Sequence, residues 1–475
     1  MQNASIVPTT EASPASPGIG EGSTRFFALD SVRATAMVLG VLYHALLFGG
    51  GMMAMGFGGS PTAASRIMDW LHSFRMPAFF LISGFFSHMM LVKYGFGRYL
   101  LRRYWRIALP LVIVLFVLGG IRAWRGSAGF PGTGPGPWGN VAGGGPGSFQ
   151  FGPRPGGTTN GWSPGQRQAG ASFDFSGFMG QSSPIAQKLF GGFSRNLGLQ
   201  HLWFLCYLLV FATVAPVVTQ AIALLARGPR GDALNRAADW MLRCGFAPLA
   251  LALTSILGLV LSGASAGNPP GGMRTIMGSL PDVFFRYDPD WPYFFIYFLG
   301  GWWMYHFREG LPAVGRLWFP VFLIGFGAYV ASAALTRPDA FAFMPAPQRI
   351  SEATLARYAL FSVAVAFTVF AFIGCFQRYL NRPTWTGRYL ADTAFWIYLF
   401  HQDLLNMVVL RWVRPWGMPQ LIQAVVAVAI TTAIALVTFE LVIRPTPLTN
   451  LFGPPRRKKA PATIPTRAST EMAPL

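Results

Sequence analysis

The sequence predicts an all-α polytopic membrane protein, and three observations support that fold class. Hydrophobic residues make up 52% of the 475 residues, whereas charged residues make up only 11%. A soluble surface needs roughly a quarter of charged residues, so a soluble fold is excluded. Apolar runs of about 18 to 25 residues also recur along the chain, each long enough to cross ~30 Å of hydrocarbon.

These apolar runs predict about ten transmembrane helices, separated by short connections that carry the charged residues. The predicted spans are 26–49, 70–92, 105–122, 199–226, 244–263, 291–307, 317–336, 354–376, 394–412 and 419–443.

The distribution of Lys and Arg predicts that both termini are cytoplasmic. The side that carries the termini holds 21 of these residues, and the opposite side holds 14. Six of those 14, from Arg122 to Arg195, lie in one long loop or directly before it, and the positive-inside rule discounts such a loop. The same placement in short connections explains the net charge of +20 without a nucleic-acid partner, since no basic face interleaved with aromatic residues is present.

Three segments flank or interrupt the predicted transmembrane domain of residues 25–450. Residues 1–24 are predicted to be a disordered cytoplasmic tail, and residues 451–475 a cytoplasmic tail whose basic run faces anionic lipid headgroups. The loop 123–198 is predicted to be a disordered spacer on the outer side, because 16 of the 47 residues from Gly126 to Ser172 are Gly and seven are Pro. The alternative is a glucan- or peptide-binding arm that uses its aromatic residues, Trp138, Phe149, Phe151 and Trp162.

Ionisable groups inside spans are costly and therefore mark candidate functional positions. In the first span, Arg33 and His44 are 11 residues apart, so they share one helix face about 16 Å apart along the axis. Asp30 lies one turn before Arg33 and is expected to pair with it.

The second span enters the membrane at the level where the first one leaves it. His72 and Arg75 are one turn apart on one face, and the topology brings them to the depth of His44. Phe79, Phe80, Ser83 and Gly84 follow, and the two small residues are typical of either close helix packing or a substrate channel.

The remaining polar positions lie near the ends of later spans. Arg103 and Arg106 open the third span on the cytoplasmic side, one turn apart, and such a pair can grip phosphates. His201 and Trp203 start the fourth span on the outer side, where Trp203 by itself is typical of an interfacial anchor. His401 lies near the middle of the ninth span. Glu440 lies near the inner end of the tenth, where Arg444 is its expected partner.

Five segments, in order along residues 25–450, resemble successive motifs of the membrane acyltransferase-3 family. They are RFFALDSVRATAMVLGVLYH, HSFRMPAFFLISGFFS, RRYWRIALP, HLWFL and FWIYLFHQ, followed by a terminal FELVIRP. The narrower likeness is to family members that succinylate periplasmic glucans. The sequence departs from the family pattern by the Gly/Pro-rich insertion and by Pro77 within the second motif.

The resemblance implies an integral O-acyltransferase of the bacterial inner membrane. Such an enzyme uses cytoplasmic acyl-CoA as co-substrate and transfers its acyl group, succinyl or acetyl, to a carbohydrate hydroxyl. The acceptor is a periplasmic glucan or another envelope carbohydrate. The Arg-x10-His motif falls on Arg33 and His44, and the paired arginines of the third span fall on Arg103 and Arg106. His44 is assigned as the general base, with direct attack of the acceptor hydroxyl on the thioester; a transient acyl-histidine is the alternative. His72 or Arg75 is assigned to stabilise the oxyanion or the carboxylate of a succinyl group.

Two competing function classes remain open from the sequence. A transporter would use the same His and Arg residues as a proton relay or anion pathway. An interaction scaffold would be built around the glycine-rich loop, which leaves His44 without a role. Neither a metal site nor a tightly bound cofactor is expected, since Cys206, Cys244 and Cys375 lack ligand spacing and are expected to be small core residues.

Overall fold

Helices make up the regular structure throughout the described residues of the computed structural model, which are 26–47, 63–127, 199–262, 290–335 and 352–453. The tails 1–24 and 454–475 and the Gly/Pro-rich stretch 128–198 lie outside these ranges. In chain order the helices are α1 (Phe27–Leu46), α2 (Ala63–Tyr94), α3 (Phe96–Arg103), α4 (Leu109–Ser127), α5 (Trp203–Leu225), α6 (Pro229–Cys244), α7 (Ala247–Leu261), α8 (Trp291–His306), α9 (Leu311–Arg316), α10 (Trp318–Leu335), α11 (Glu352–Tyr379), α12 (Trp385–Val408), α13 (Gln420–Thr438) and α14 (Thr449–Phe452).

Short π and 3-10 turns join several of these helices into longer rods. A π turn at Tyr104–Ala108 links α3 to α4, and others at Val409–Val413 and Phe439–Ile443 extend α12 and α13. A 3-10 turn at Gln200–Leu202 precedes α5. The π turn at Tyr104–Ala108 contains Arg106, and such turns often occur at functional sites.

By length and apolar composition, the described residues contain six helices able to cross a membrane. The number rises to seven if two helices joined at a sharp bend are counted together as one span. The protein is therefore a multi-pass membrane protein, and the count of ten spans and the cytoplasmic termini stay predictions. The bent pair is Gly231–Cys244 with Ala247–Leu261, joined at 117° where Gly245 has φ +81°. The fifth predicted span, 244–263, thus corresponds to a 15-residue helix beside a sharp bend.

Several helices are longer than the predicted spans. The second predicted span begins at 70, but α2 begins at Ala63 and continues through Pro77 to Tyr94. The third is predicted at 105–122, whereas its helical rod begins at Phe96 and α4 ends at Ser127. Hydropathy locates the apolar part of a helix, while hydrogen bonding continues into its polar ends.

Helices α1, α2 and α11 form the centre of the helix bundle. Helix α1 packs against α2, α11, α12 and α13, and α2 packs on its other side against α8. Helix α11 packs against α7, α9 and α10. Only 6% of the apolar stretch of α10 is buried, so α10 presents its side chains to the surroundings of the bundle.

The contact between α2 and α8 depends on two glycines. A Cβ atom added to Gly84 would overlap the backbone carbonyl of Phe298, and one added to Gly301 would overlap the carbonyl of Leu81. The two backbones therefore touch, as is typical of small residues in membrane helix interfaces. Gly84 thus serves close helix packing, which decides between the two interpretations of that position.

We expect Gly301→Ala to lower the apparent melting temperature of the detergent-solubilised protein. The added methyl group has no space to enter, and overpacking of this kind costs about 1–3 kcal/mol. Gly327→Ala is the matched control, because a Cβ atom there meets nothing within 4 Å. Equal melting temperatures for the two variants would contradict the close contact between α2 and α8.

Candidate active site

A cavity lies where the C-terminal end of α1 meets α2, the start of α5 and the middle of α12. Hydrophobic and aromatic side chains make up much of its wall, and four histidines and one arginine project among them. Its lining residues are Met37, Tyr43, His44, Leu47, His72, Arg75, Met76, Phe79, His201, Trp203, Phe204, Tyr398, His401 and Gln402.

Three histidines from three separate helical segments meet in this cavity. The ring centroids of His44 and His401 are 5.1 Å apart, and those of His201 and His401 are 4.8 Å apart. His44 and His201 are 6.5 Å apart. All three side chains are at most 8% exposed. His401 of α12 therefore lies beside His44 at the C-terminal end of α1.

Backbone carbonyls set the orientation of two of these rings. His401 donates through Nδ1 to the carbonyl oxygen of Tyr398 at 2.8 Å, and His201 donates through Nε2 to that of Leu399 at 3.2 Å. The Tyr398 hydroxyl in turn donates to the carbonyl of His201. In the neutral His401 ring, Nε2 then carries the lone pair, and this buried atom has no hydrogen-bond partner among the described residues. The cavity thus holds a histidine nitrogen able to accept a proton.

Arg75 and His72 both pack around the ring of Tyr43. The guanidinium of Arg75 lies over that ring, 5.0 Å from its centroid, and His72 stacks on it with a centroid distance of 4.8 Å. A side chain at Gly40 would collide with the Arg75 guanidinium, so the missing Cβ of Gly40 provides its space. Arg75 is 7% exposed and places a positive charge at the cavity wall.

A second polar group forms at the opposite end of α1 and α2. Arg103 donates to the hydroxyl oxygen of Ser87 at 2.6 Å, and Arg106 donates to the carbonyl of Gly453 at 2.8 Å. Arg33 pairs with Asp30 at 3.5 Å and donates to the carbonyl of Ala391 at 3.3 Å. Arg33, Arg103 and Arg106 lie close enough to repel one another. Together these three residues form a concentrated positive charge, called the arginine group below.

The structure separates the sequence-predicted residues into those in the cavity and those in the packing around it. His44, His72, Arg75, His201, His401 and Phe79 all line the cavity. Trp203 also lines it and is only 4% exposed, so it is part of the cavity wall. Phe80 belongs instead to a buried aromatic cluster with Phe204, Phe211 and Phe294. Ser83 is half-buried on α2 outside the cavity lining.

Two acidic residues form the local pairs that their spacing predicts. Asp30 pairs with Arg33 at 3.5 Å, and Glu440 pairs with Arg444 at 2.6 Å. Glu440 is not among the residues that line the histidine cavity. Its partner Arg444 accounts for its position near the end of the tenth predicted span.

Several cavity residues carry little signal in the sequence. Tyr43 and Gln402 are each adjacent to a histidine, and an amide or phenol within an apolar run is the signal that could have identified them. Gly40 and Ser87 carry no such signal, because their roles depend on Arg75 and Arg103 from elsewhere in the fold.

The described residues do not contain a group of three His, Cys, Asp or Glu side chains positioned to hold a metal ion. The cysteines are free thiols; Cys206 is buried and Cys375 half-buried. The expectation of a core position is wrong for Cys244, which is exposed at the bend after α6.

A model of the acyltransferase domain family matches residues 26–440. The chain belongs to the acyltransferase-3 family. Glucans biosynthesis protein C from Escherichia coli K12 is 33% identical over 95 residues, and the protein of that name from Escherichia coli O1:K1 / APEC is 32% identical over 95 residues. Each alignment covers 20% of this chain and 25% of the relative, so it spans a quarter of the relatives' length. No solved structure matches the chain.

Family membership and the apolar helices together describe a membrane acyltransferase. The match covers both polar groups, since Arg33, Arg103 and Arg106 and all the cavity histidines lie within residues 26–440. The resemblance inferred from the sequence motifs is thereby confirmed, and the transporter and scaffold classes lose their support.

Proposed function

We propose that this protein transfers an acyl group from acyl-CoA to a hydroxyl of a periplasmic glucan at the bacterial inner membrane. The observation that carries the proposal is the presence of two polar groups at opposite ends of α1 and α2. A histidine cavity lies at one end, and an arginine group lies at the other. Such a layout suits a donor that binds at one side of the membrane and an acceptor that arrives at the other.

The arginine group is the proposed site for the phosphates of CoA. Arg33 and His44 are separated by 11 residues of α1, about 16 Å along the helix axis, so a bound donor must extend between the helices to reach the cavity. Guanidinium groups suit this task because they remain charged and present several donors to phosphate oxygens. Arg103 and Arg106 supply this charge from the last residue of α3 and from the π turn that follows it.

In the cavity, His44 is proposed as the general base. The hydroxyl oxygen of the acceptor attacks the thioester carbonyl carbon while His44 takes the hydroxyl proton. The carbon–sulfur bond then breaks, and the proton passes to the sulfur, which leaves as the free thiol of CoA. The products are an acylated glucan and CoA, so no further reactant is required.

His401 is proposed to act with His44. Its Nδ1 proton is directed to the Tyr398 carbonyl, so Nε2 carries the lone pair, and the ring centroid is 5.1 Å from that of His44. This nitrogen can orient His44 or share its proton during transfer, as a base is oriented by a third group in other acyl-transfer sites. Arg75 provides the charge that stabilises the oxyanion or accepts the carboxylate of a succinyl group.

The proposal is tested with detergent-solubilised protein, succinyl-CoA or acetyl-CoA, and a periplasmic glucan. We expect release of CoA thiol that depends on added glucan, and His44→Ala should lower that rate by about 10²-fold or more. Binding of CoA, measured by calorimetry, should be unchanged, because the arginine group lies at the other end of α1. Activity of His44→Ala within about threefold of the parent rate would contradict the assignment.

His401→Gln should lower kcat by about tenfold or more and change the pH dependence of kcat, with little change in the KM for acyl-CoA. Glutamine keeps the side-chain volume but lacks a titratable nitrogen. Thr431→Val, in the buried part of α13 outside the cavity, is the control for general disturbance of the core. A pH profile parallel to that of the parent would show that His401 only packs.

The double variant Arg103→Gln/Arg106→Gln should raise the KM for acyl-CoA more than the KM for glucan, because each charged hydrogen bond contributes about 1.5 to 3 kcal/mol. Arg98→Gln/Arg102→Gln is the matched control: it removes the same charge from exposed positions of α3. If both double variants raise the KM equally, the effect is general electrostatics and not phosphate binding.

A further inference from the structure

A ladder of three nearly parallel rings lies at the arginine end of α2 and α8. The ring of His88 stacks on Trp302 with a centroid distance of 4.7 Å and an angle of 9°. The ring of His306 is parallel to His88 within 5°, with centroids 6.4 Å apart. Trp302 is 3% exposed, His88 is half-buried and His306 is exposed, so the ladder leads from the core to the surface.

The ladder is held in place by contacts that are independent of any ligand. His88 donates through Nδ1 to the carbonyl of Trp302 at 2.8 Å, which fixes the plane of its ring. Tyr305 packs its edge against His88 at 5.2 Å, and the Arg308 guanidinium lies over the Tyr305 ring at 4.9 Å. The ladder thus combines one ring fixed by a hydrogen bond, His88, with an exposed ring, His306, and the nearby sequence also supplies the positive charge of Arg308.

The ladder and the arginine group both involve the same stretch of α2. Ser87, which accepts from Arg103, directly precedes His88 in α2, and Phe86, which precedes Ser87, lies under the Arg33 guanidinium at 5.9 Å. Phe86, Ser87 and His88 are consecutive in α2, so the cationic group and the stacked rings lie at the same level along this helix. Stacking faces beside clustered positive charge match the chemistry of a nucleotide, which has a planar base and attached phosphates.

We propose that this ladder, with its exposed face at His306, binds the adenine base of the acyl donor. The base stacks on His306 beside Arg308, while the phosphates of the same molecule contact the arginine group. The inference rests on the proposed function, since it places one part of the CoA molecule. It assigns a role to rings that neither the histidine cavity nor the phosphate contacts require.

The decisive comparison uses two donors that carry the same acyl group. One is acyl-CoA, and the other is acyl-4′-phosphopantetheine, which lacks the adenosine 3′,5′-bisphosphate part. We expect His306→Ala to raise the KM for acyl-CoA at least fivefold, the lower end of the effect of losing one stacked base. The KM for acyl-4′-phosphopantetheine should not change, and His306→Phe should restore most of the affinity for acyl-CoA.

Trp303→Ala is the matched control, because Trp303 is an exposed ring of the same helix outside the ladder. Adenosine 3′,5′-bisphosphate should compete with acyl-CoA in the parent protein and at least fivefold less well in His306→Ala. Equal KM values for acyl-CoA in the parent and in His306→Ala would overturn the adenine site, and so would a KM increase shared by both donors. If the parent protein uses neither donor, it is the proposed function that fails.

Discussion

The contact between α2 and its neighbours is the constraint on which the rest of the molecule depends. Gly84 and Gly301 bring the backbones of α2 and α8 into contact, and on the other side Gly40 of α1 gives space to Arg75 of α2. Because α2 is held closely on both sides, its polar residues reach fixed positions at both ends. One end supplies His72 and Arg75 to the cavity, and the other supplies Ser87 to Arg103 and His88 to the ring ladder.

The cost of burying polar groups among apolar helices explains why they occur in groups. A buried charge or imidazole surrounded by hydrocarbon is expensive unless another polar group is near. In this protein each buried histidine of the cavity is close to a backbone carbonyl, a tyrosine or another histidine. At the more exposed arginine group, Asp30, Ser87 and the Gly453 carbonyl receive guanidinium donors. The arrangement leaves donor capacity for an anionic ligand, because an arginine has five N–H groups.

The two ends of the bundle differ in a way that fits transfer across a membrane. The cavity is enclosed by aromatic walls and holds groups that can accept a proton. The arginine end is more open, with Arg33 41% exposed in its side chain, and its rings lead to the surface at His306. A ligand with a charged, planar head and a long arm matches such a site better than a small ion does. For this reason an acyl-CoA donor is proposed here in preference to a simple anion pathway.

The sequence by itself determined the fold class and the local pairs. An apolar composition allows only a few folds, and the Asp30–Arg33 and Glu440–Arg444 pairs follow from helical spacing alone. It also brought His44, His72 and Arg75 to one depth, because charge bias orients each helix along its axis. Only the tertiary structure decided that His401 and His201 meet His44, that Trp203 lines a cavity, and that Gly84 serves packing. The physical reason is that helices apolar on all sides carry little information about their rotation and neighbours, which close packing alone selects.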